Sequence, residues 1–381
     1  MNIIGFIKKY GNLTFREKRL SDVDALIFSE LAYVNFELLM EEGEVEKRFS
    51  DMKEDKLNDK KVYEGSVDAK KNKILLNLLV KSNRYKNVIV RDVVNSFSKD
   101  DENQFYVVTF VLPNGNLFIS YRGTDTSLIG WKEDFLLTVY DKIKAQIQAE
   151  KYLVSEMERY PKRRFYLGGH SKGGNLAFYA ALTIPDNLVY RLIGAYSFDG
   201  PGFKQGIKSF RSYEAVKGRL IKYRTYNNVI GAAFTDVDNY RVVYSIGILG
   251  GHDPFGWRIS KKTSMFRMAR DISARSKNFT GRIMRWLESL SMQDRLLTVE
   301  AFFRIFDGND TIYDLFRNFL RNMRAARKTL SVYPEEDRAR LKEILKALFG
   351  FLFREKKMRK TSKLEMKKNE IKDHEGGNSN E

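Results

Sequence analysis

Residues 169–173 read Gly169-His170-Ser171-Lys172-Gly173, a serine flanked by glycines two positions before and two after. Phe165-Tyr166-Leu167 precede it as a short strand, and Leu176, Ala177, Tyr179, Ala180, Ala181 and Leu182 follow at helical spacing. A serine at the apex of a sharp strand-to-helix turn has its hydroxyl presented as a nucleophile. Only small residues at the flanking positions let strand and helix approach that closely. The surrounding strand and helix are what separate this motif from a chance glycine-rich turn.

A serine hydroxyl needs a base, and the chain has three histidines: His170, His252 and His374. His170 lies inside the turn, where its side chain is expected to pack, and His374 lies in the polar tail. His252, in Gly250-Gly251-His252-Asp253-Pro254-Phe255-Gly256-Trp257, follows the last strand candidate and is left as the base by elimination. The acid should lie between serine and histidine, where Asp186, Asp199, Glu214, Asp236 and Asp238 are available. Asp199 ends the strand Ala195-Tyr196-Ser197-Phe198 and precedes Gly200-Pro201-Gly202, a position suited to orienting an imidazole. An aspartate there also serves as an ordinary turn former, and Asp236 and Asp238, in a polar loop, stay open. For an oxyanion, one backbone N–H is expected from Lys172 and the second from the loop after Phe118–Tyr121, where Thr124 is the best donor.

The elements that must hold these residues can be read around them. Residues 21–40 and 71–81 have helical patterns. Residues 41–65 are dense in Glu, Asp and Lys and read as a solvated, charged insertion. Phe105–Leu112 and Leu117–Tyr121, joined by Pro113-Asn114-Gly115-Asn116, predict a hairpin. Helices at 141–160 and from 175 alternate with strands at 164–167, 192–198, 220–226 and 241–246. That alternation predicts an α/β fold with a mostly parallel sheet flanked by helices, the α/β-hydrolase class. The expected division is a hydrolase domain over 1–262, a helical extension over 263–353 and a basic, disordered tail over 354–381.

With 381 residues the chain exceeds what one core usually holds, and its 43% hydrophobic content is ample for a large core plus an accessory segment. Its net charge of +18 favours anionic partners. The absence of cysteine excludes disulfides, a thiolate nucleophile and zinc-thiolate sites; no metal and no cofactor are expected. The N-terminus lacks the features of a signal peptide, and no stretch reaches the roughly 20 apolar residues of a membrane span. A cytoplasmic protein, peripheral to the inner face of the membrane, is the expectation. Arg258, Lys261, Lys262, Arg267, Arg270, Arg275, Lys277, Arg282 and Arg285, and the tail lysines from Lys356 on, are interleaved with Trp286 and Phe351-Leu352-Phe353. This reads either as basic C-terminal helices lying on anionic lipid or as a solvated helical face. Nucleic acid is the weaker reading, since no recognised motif accompanies the charge.

Tyr121-Arg122-Gly123-Thr124-Asp125, with Trp131 and Asp134 after it, and Gly169-His170-Ser171-Lys172-Gly173-Gly174-Asn175-Leu176-Ala177 resemble the corresponding segments of class-three (fungal-type) lipases. Phe198-Asp199-Gly200-Pro201-Gly202-Phe203, His252–Trp257 and Asp22-Val23-Asp24-Ala25-Leu26 resemble an uncharacterised bacterial branch of lipase-like α/β-hydrolases, over about residues 11–260. The resemblance implies Ser171 as nucleophile, Thr124 as oxyanion residue, His252 as base, and an ester or lipid substrate. It departs at the acid: Asn228 stands where those lipases carry an aspartate. Either Asp199 serves instead, or Asn228 orients the histidine as an alternative third member, which would weaken catalysis. Lys172, in place of an apolar residue, would put a cation beside the ester site. The function expected is a carboxylic ester hydrolase working through a covalent acyl-enzyme. The alternative is a weak or inactive hydrolase-fold protein with a binding or regulatory role.

Overall fold

The computed structural model describes residues 1–98, 103–125, 132, 135–228, 239–247, 251–305, 331–344 and 346–347. Among them a nine-stranded sheet runs in sequential order: β1 Glu46–Arg48, β2 Ile89–Ser98, β3 Asn103–Val111, β4 Leu117–Tyr121, β5 Phe165–His170, β6 Leu192–Phe198, β7 Leu220–Thr225, β8 Tyr240–Val243 and β9 Met268–Ala269. The block β4 to β8 is parallel. The flanking pairs, β1 to β4 on one side and β8 with β9 on the other, are antiparallel. Among the described residues the helices include α1 Ile3–Tyr10, α2 Asp22–Leu31, α3 Glu54–Asn58, α4 Ala69–Lys81, α5 Lys144–Arg159, α6 Lys172–Thr183, α7 Tyr213–Val216, α8 Ala274–Glu288 and α9 Met292–Ile305. The mostly parallel sheet flanked by helices that the alternation of elements predicts is the architecture the chain adopts.

Two apolar layers sandwich the sheet, and strand alternation sorts residues between them. Tyr106, Val108, Phe110 and Phe118 face α1, α2 and α4. Phe105, Val107, Leu117, Ile119 and Tyr121 face α5 and α6. The central strands are buried on both faces, which parallel strands covered by helices require. At the hairpin, Gly115 has φ +80°, a left-handed turn position that suits glycine.

Three local readings differ from the structure. The helix expected over 21–40 stops at Leu31; the chain turns so that the Asn35 amide donates to the Val62 carbonyl (2.8 Å). Residues 41–65 keep their charges outside but send Phe49, Met52, Leu57, Val62 and Tyr63 into the core. The sheet gains β1, β2 and β9, none of which the sequence pattern predicts. Trp131, Asp134, Asp236, Asp238, His374 and the tail from 354 lie outside the described residues. No described helix is long and apolar enough to cross a membrane.

Candidate active site

Ser171 sits between β5 and α6 with φ 56° and ψ −131°. A non-glycine residue there carries on the order of 1–3 kcal/mol of backbone strain, held in place by its surroundings. The flanking glycines are required by contact. A Cβ on Gly169 would strike the Gly173 backbone, and one on Gly173 would strike the Tyr121 carbonyl. The Ser171 amide donates to the Phe198 carbonyl (3.0 Å), tying the turn to the end of β6.

His170 and Phe198 are register partners on adjacent parallel strands. Ser171 and Asp199, the next residues, therefore emerge side by side at the C-terminal edge of the sheet. Asp199 also has positive φ, 53°, and is fully buried. Its Oδ2 lies 2.6 Å from His252 Nδ1. Its Oδ1 accepts from the Thr225 amide (3.1 Å) and from Asn228 Nδ2. Burial pushes the Asp199 carboxyl up, but the hydrogen bond and charge of His252 and the Thr225 amide hold it below the ordinary carboxylate range.

The expected residues thus fall into one cluster, with Asp199 beside His252. Asn228 does not touch His252 through its amide; it donates to Asp199 and helps fix the carboxylate. Its Oδ1 has no partner among the described residues.

His170 has a separate task. Its Nε2 is 2.9 Å from the His252 carbonyl, and its Nδ1 is 3.4 Å from the Tyr33 hydroxyl. A carbonyl only accepts, so Nε2 carries the proton and Nδ1 receives the tyrosine hydroxyl. Burial, then the charge of His252, pushes the His170 imidazole down to about 3, so it stays neutral. Its ring packs on that of His252 at 4.4 Å between centroids. With both nitrogens engaged, His170 anchors the His252 loop and does not serve as a base.

The segment after β4 runs under the serine. A Cβ on Gly123 would lie 3.2 Å from the Ser171 Cβ and would also strike the Tyr33 hydroxyl. Thr124 is therefore held close to the elbow, buried. The Lys172 amide opens α6 beside it. The Lys172 side chain is buried and its Nζ donates to the Gln104 carbonyl (3.2 Å), so this cation is tied to the start of β3.

Residues not anticipated from sequence lock the Asp199 turn. Asn175 Nδ2 donates to the carbonyls of Gly202 (2.9 Å) and Pro201 (3.3 Å), while its Oδ1 accepts from Gln146 (2.8 Å). Lys222, buried in β7, donates to the Gly200 carbonyl and to Ser197 Oγ (3.3 Å). A lysine inside the strand-like stretch Leu220–Thr225 is the signal that could have flagged it. Ser171 Oγ and His252 Nε2 take no hydrogen bond among the described residues, and they are not joined to each other. Unliganded sites are often loose at this contact.

Two solved structures resemble the chain distantly. One is the Lip2 lipase of Yarrowia lipolytica, with a TM-score of 0.34 and 14% identity over 61% of this chain and 84% of that one. The other is a point mutant of MDLA from Penicillium cyclopium, with a TM-score of 0.38 and 12% identity over 67% and 87%. No curated protein matches the sequence. The Mbeg1-like family model matches residues 79–304, from the end of α4 through α9, and the chain belongs to the Mbeg1-like family.

Proposed function

We propose that the protein is a serine hydrolase of carboxylic esters. The observation that carries this reading is the Asp199–His252 pair at 2.6 Å, set beside a strained serine at the ends of two adjacent strands. Ser171 Oγ attacks the ester carbonyl while its proton passes to His252 Nε2. Asp199 holds the proton on Nδ1 and stabilises the imidazolium. The amides of Lys172 and Thr124 receive the oxyanion. Collapse of the tetrahedral adduct breaks the C–O bond, and the His252 proton leaves with the alcohol. Water, deprotonated by the same imidazole, then releases the acid and restores Ser171.

A fluorophosphonate probe tests this. The expected result is a single adduct on Ser171, located by peptide mass spectrometry and absent from Ser171→Ala. Folded wild-type protein that stays unlabelled, and that cleaves neither short- nor long-chain acyl esters, overturns the reading. A binding protein on a hydrolase scaffold would then remain.

A further inference from the structure

The strand entering the His252 loop and the hairpin leaving it share an outward face that the proposed chemistry does not use. The Arg258 amide donates to the Tyr244 carbonyl (2.8 Å), the Tyr244 amide to Arg267 (2.9 Å) and the Arg267 amide to Arg258 (2.7 Å). Bridges join Ser245 to Trp257 and Ile259 to Phe266. Side chains alternate along such strands. Trp257, Ile259 and Phe266 point inward and are buried. Their neighbours Tyr244, Ile246, Arg258, Met265 and Arg267 point outward and are exposed.

The apolar members of this face stand well clear of the protein: Ile246 is 57% and Met265 67% exposed. Lys261 and Lys262 crown the hairpin tip. Lys9 is drawn alongside by its bond to the Lys261 carbonyl (2.7 Å). From 244 to 270 the sequence has five lysines and arginines and one acid, Asp253. That acid is paired with Lys71 at 3.2 Å. The crowding of positive charge is felt locally. The Met1 ammonium, bonded to the Ile259 carbonyl (2.9 Å), is pushed down by burial and then by Lys261, Arg258 and Arg267.

We propose that this face docks the protein on an anionic phospholipid surface. Tyr244, Ile246 and Met265 enter the headgroup layer, and Arg258, Arg267, Lys261 and Lys262 meet the lipid phosphates. Exposed aliphatic side chains interleaved with cations suit a bilayer interface, where apolar burial and charge attraction add. A nucleic acid would use the cations and gain little from an isoleucine and a methionine. The Ile246 amide donates to the Gly256 carbonyl (3.1 Å), so the face is continuous with both ends of the His252 loop. The docking is independent of the hydrolytic reading and holds whether or not Ser171 turns over an ester.

Cosedimentation of the full chain with phosphatidylglycerol-containing vesicles, against pure phosphatidylcholine, tests it. Binding is expected to the anionic vesicles and to weaken with salt. Arg258→Glu/Arg267→Glu should lower the partition coefficient by about tenfold or more, on the order of the attraction each cation supplies near such a surface. Arg258→Lys/Arg267→Lys should retain binding, which separates charge loss from misfolding. Ile246→Ser/Met265→Ser should lower binding about severalfold at unchanged charge. Any of four results overturns the proposal: no wild-type binding, wild-type binding by both hairpin variants, loss produced only by reversing the tail lysines 356–368, or indifference to the Ile246/Met265 change with competition by duplex DNA.

Discussion

Among the described residues two aspartates, Asp24 and Asp199, are wholly buried in cationic company, and they end differently. Asp24, in α2, meets Arg84 through two bonds of 2.7 Å and also accepts from Tyr85 (2.5 Å) and from the Ser21 hydroxyl (2.6 Å). The remaining Arg84 N–H groups reach the carbonyls of Lys18 (2.8 Å), Arg19 (3.1 Å), Leu13 (3.2 Å) and Thr14 (3.3 Å). Both side chains are wholly buried. Every polar valence is taken up, and the result is a knot that fastens residues 13–24 to the body. Asp199 is as buried and as well bonded, but its chain of contacts runs outward. His252 takes its bond and remains 13% exposed, with Nε2 uncommitted among the described residues. A closed ionic cluster holds chain together; the open one leaves an imidazole nitrogen facing outward, as the proposed reaction requires.

Asp199→Asn breaks this comparison most forcefully. In the proposed reaction an amide cannot stabilise the imidazolium formed as His252 takes the serine proton, and it presents the wrong partner to Nδ1–H. The second-order rate of fluorophosphonate labelling should fall by roughly 10⁴-fold. A fall of less than about tenfold, far short of a lost triad member, would make Asp199 a structural aspartate like Asp24.

Arg84→Met attacks the closed cluster. It leaves the Asp24 carboxylate buried without its cation, and the expected cost is about 3–5 kcal/mol of stability by urea unfolding. The labelling rate of the protein that remains folded should be unchanged. A selective loss of labelling at constant stability would erase the distinction between the two clusters.

What is legible in the sequence divides along the same line. The elbow can be read because its glycines, strand and helix are contiguous, and His252 because histidine is scarce. Asp199 can be located at a strand end, but its role cannot. Its partners Thr225 and Asn228 lie 26 and 29 residues away. Asn228 reads as a substitute for the acid because a linear motif cannot show that its amide donates to Asp199. Strand β2 escapes the pattern for a physical reason. Its Arg91–Val94 stretch is a bulge with Asp92 at φ 48°, so the period-two alternation breaks where it would be counted. Strand β9 has only two residues, paired with Val242 and Val243, and exists because β8 offers an edge. The buried apolar residues of 41–65 are masked in the sequence by the charges around them.

Glu30 gives the finest test, because it is a buried acid that belongs to neither cluster. It lies in α2, accepts from Asn72 Nδ2 (2.8 Å) through Oε1, and leaves Oε2 without a partner among the described residues. Burial, then the nearby charge of Asp253, pushes its carboxyl well above the usual range. Above the unfolded value of about 4.3 the folded state therefore binds the extra proton. By linkage, stability falls as pH rises from there toward the raised folded value, opposite to the behaviour of a paired carboxylate. Glu30→Gln keeps the shape and removes the titration. It should flatten this decline, giving a gain on the order of 1 kcal/mol at the alkaline end of the window and little change near pH ~4. Thermal unfolding of both proteins across that range measures it. Parallel curves would mean that Glu30 ionises in the folded protein as readily as in the open chain, and that its site is wetter than its burial indicates.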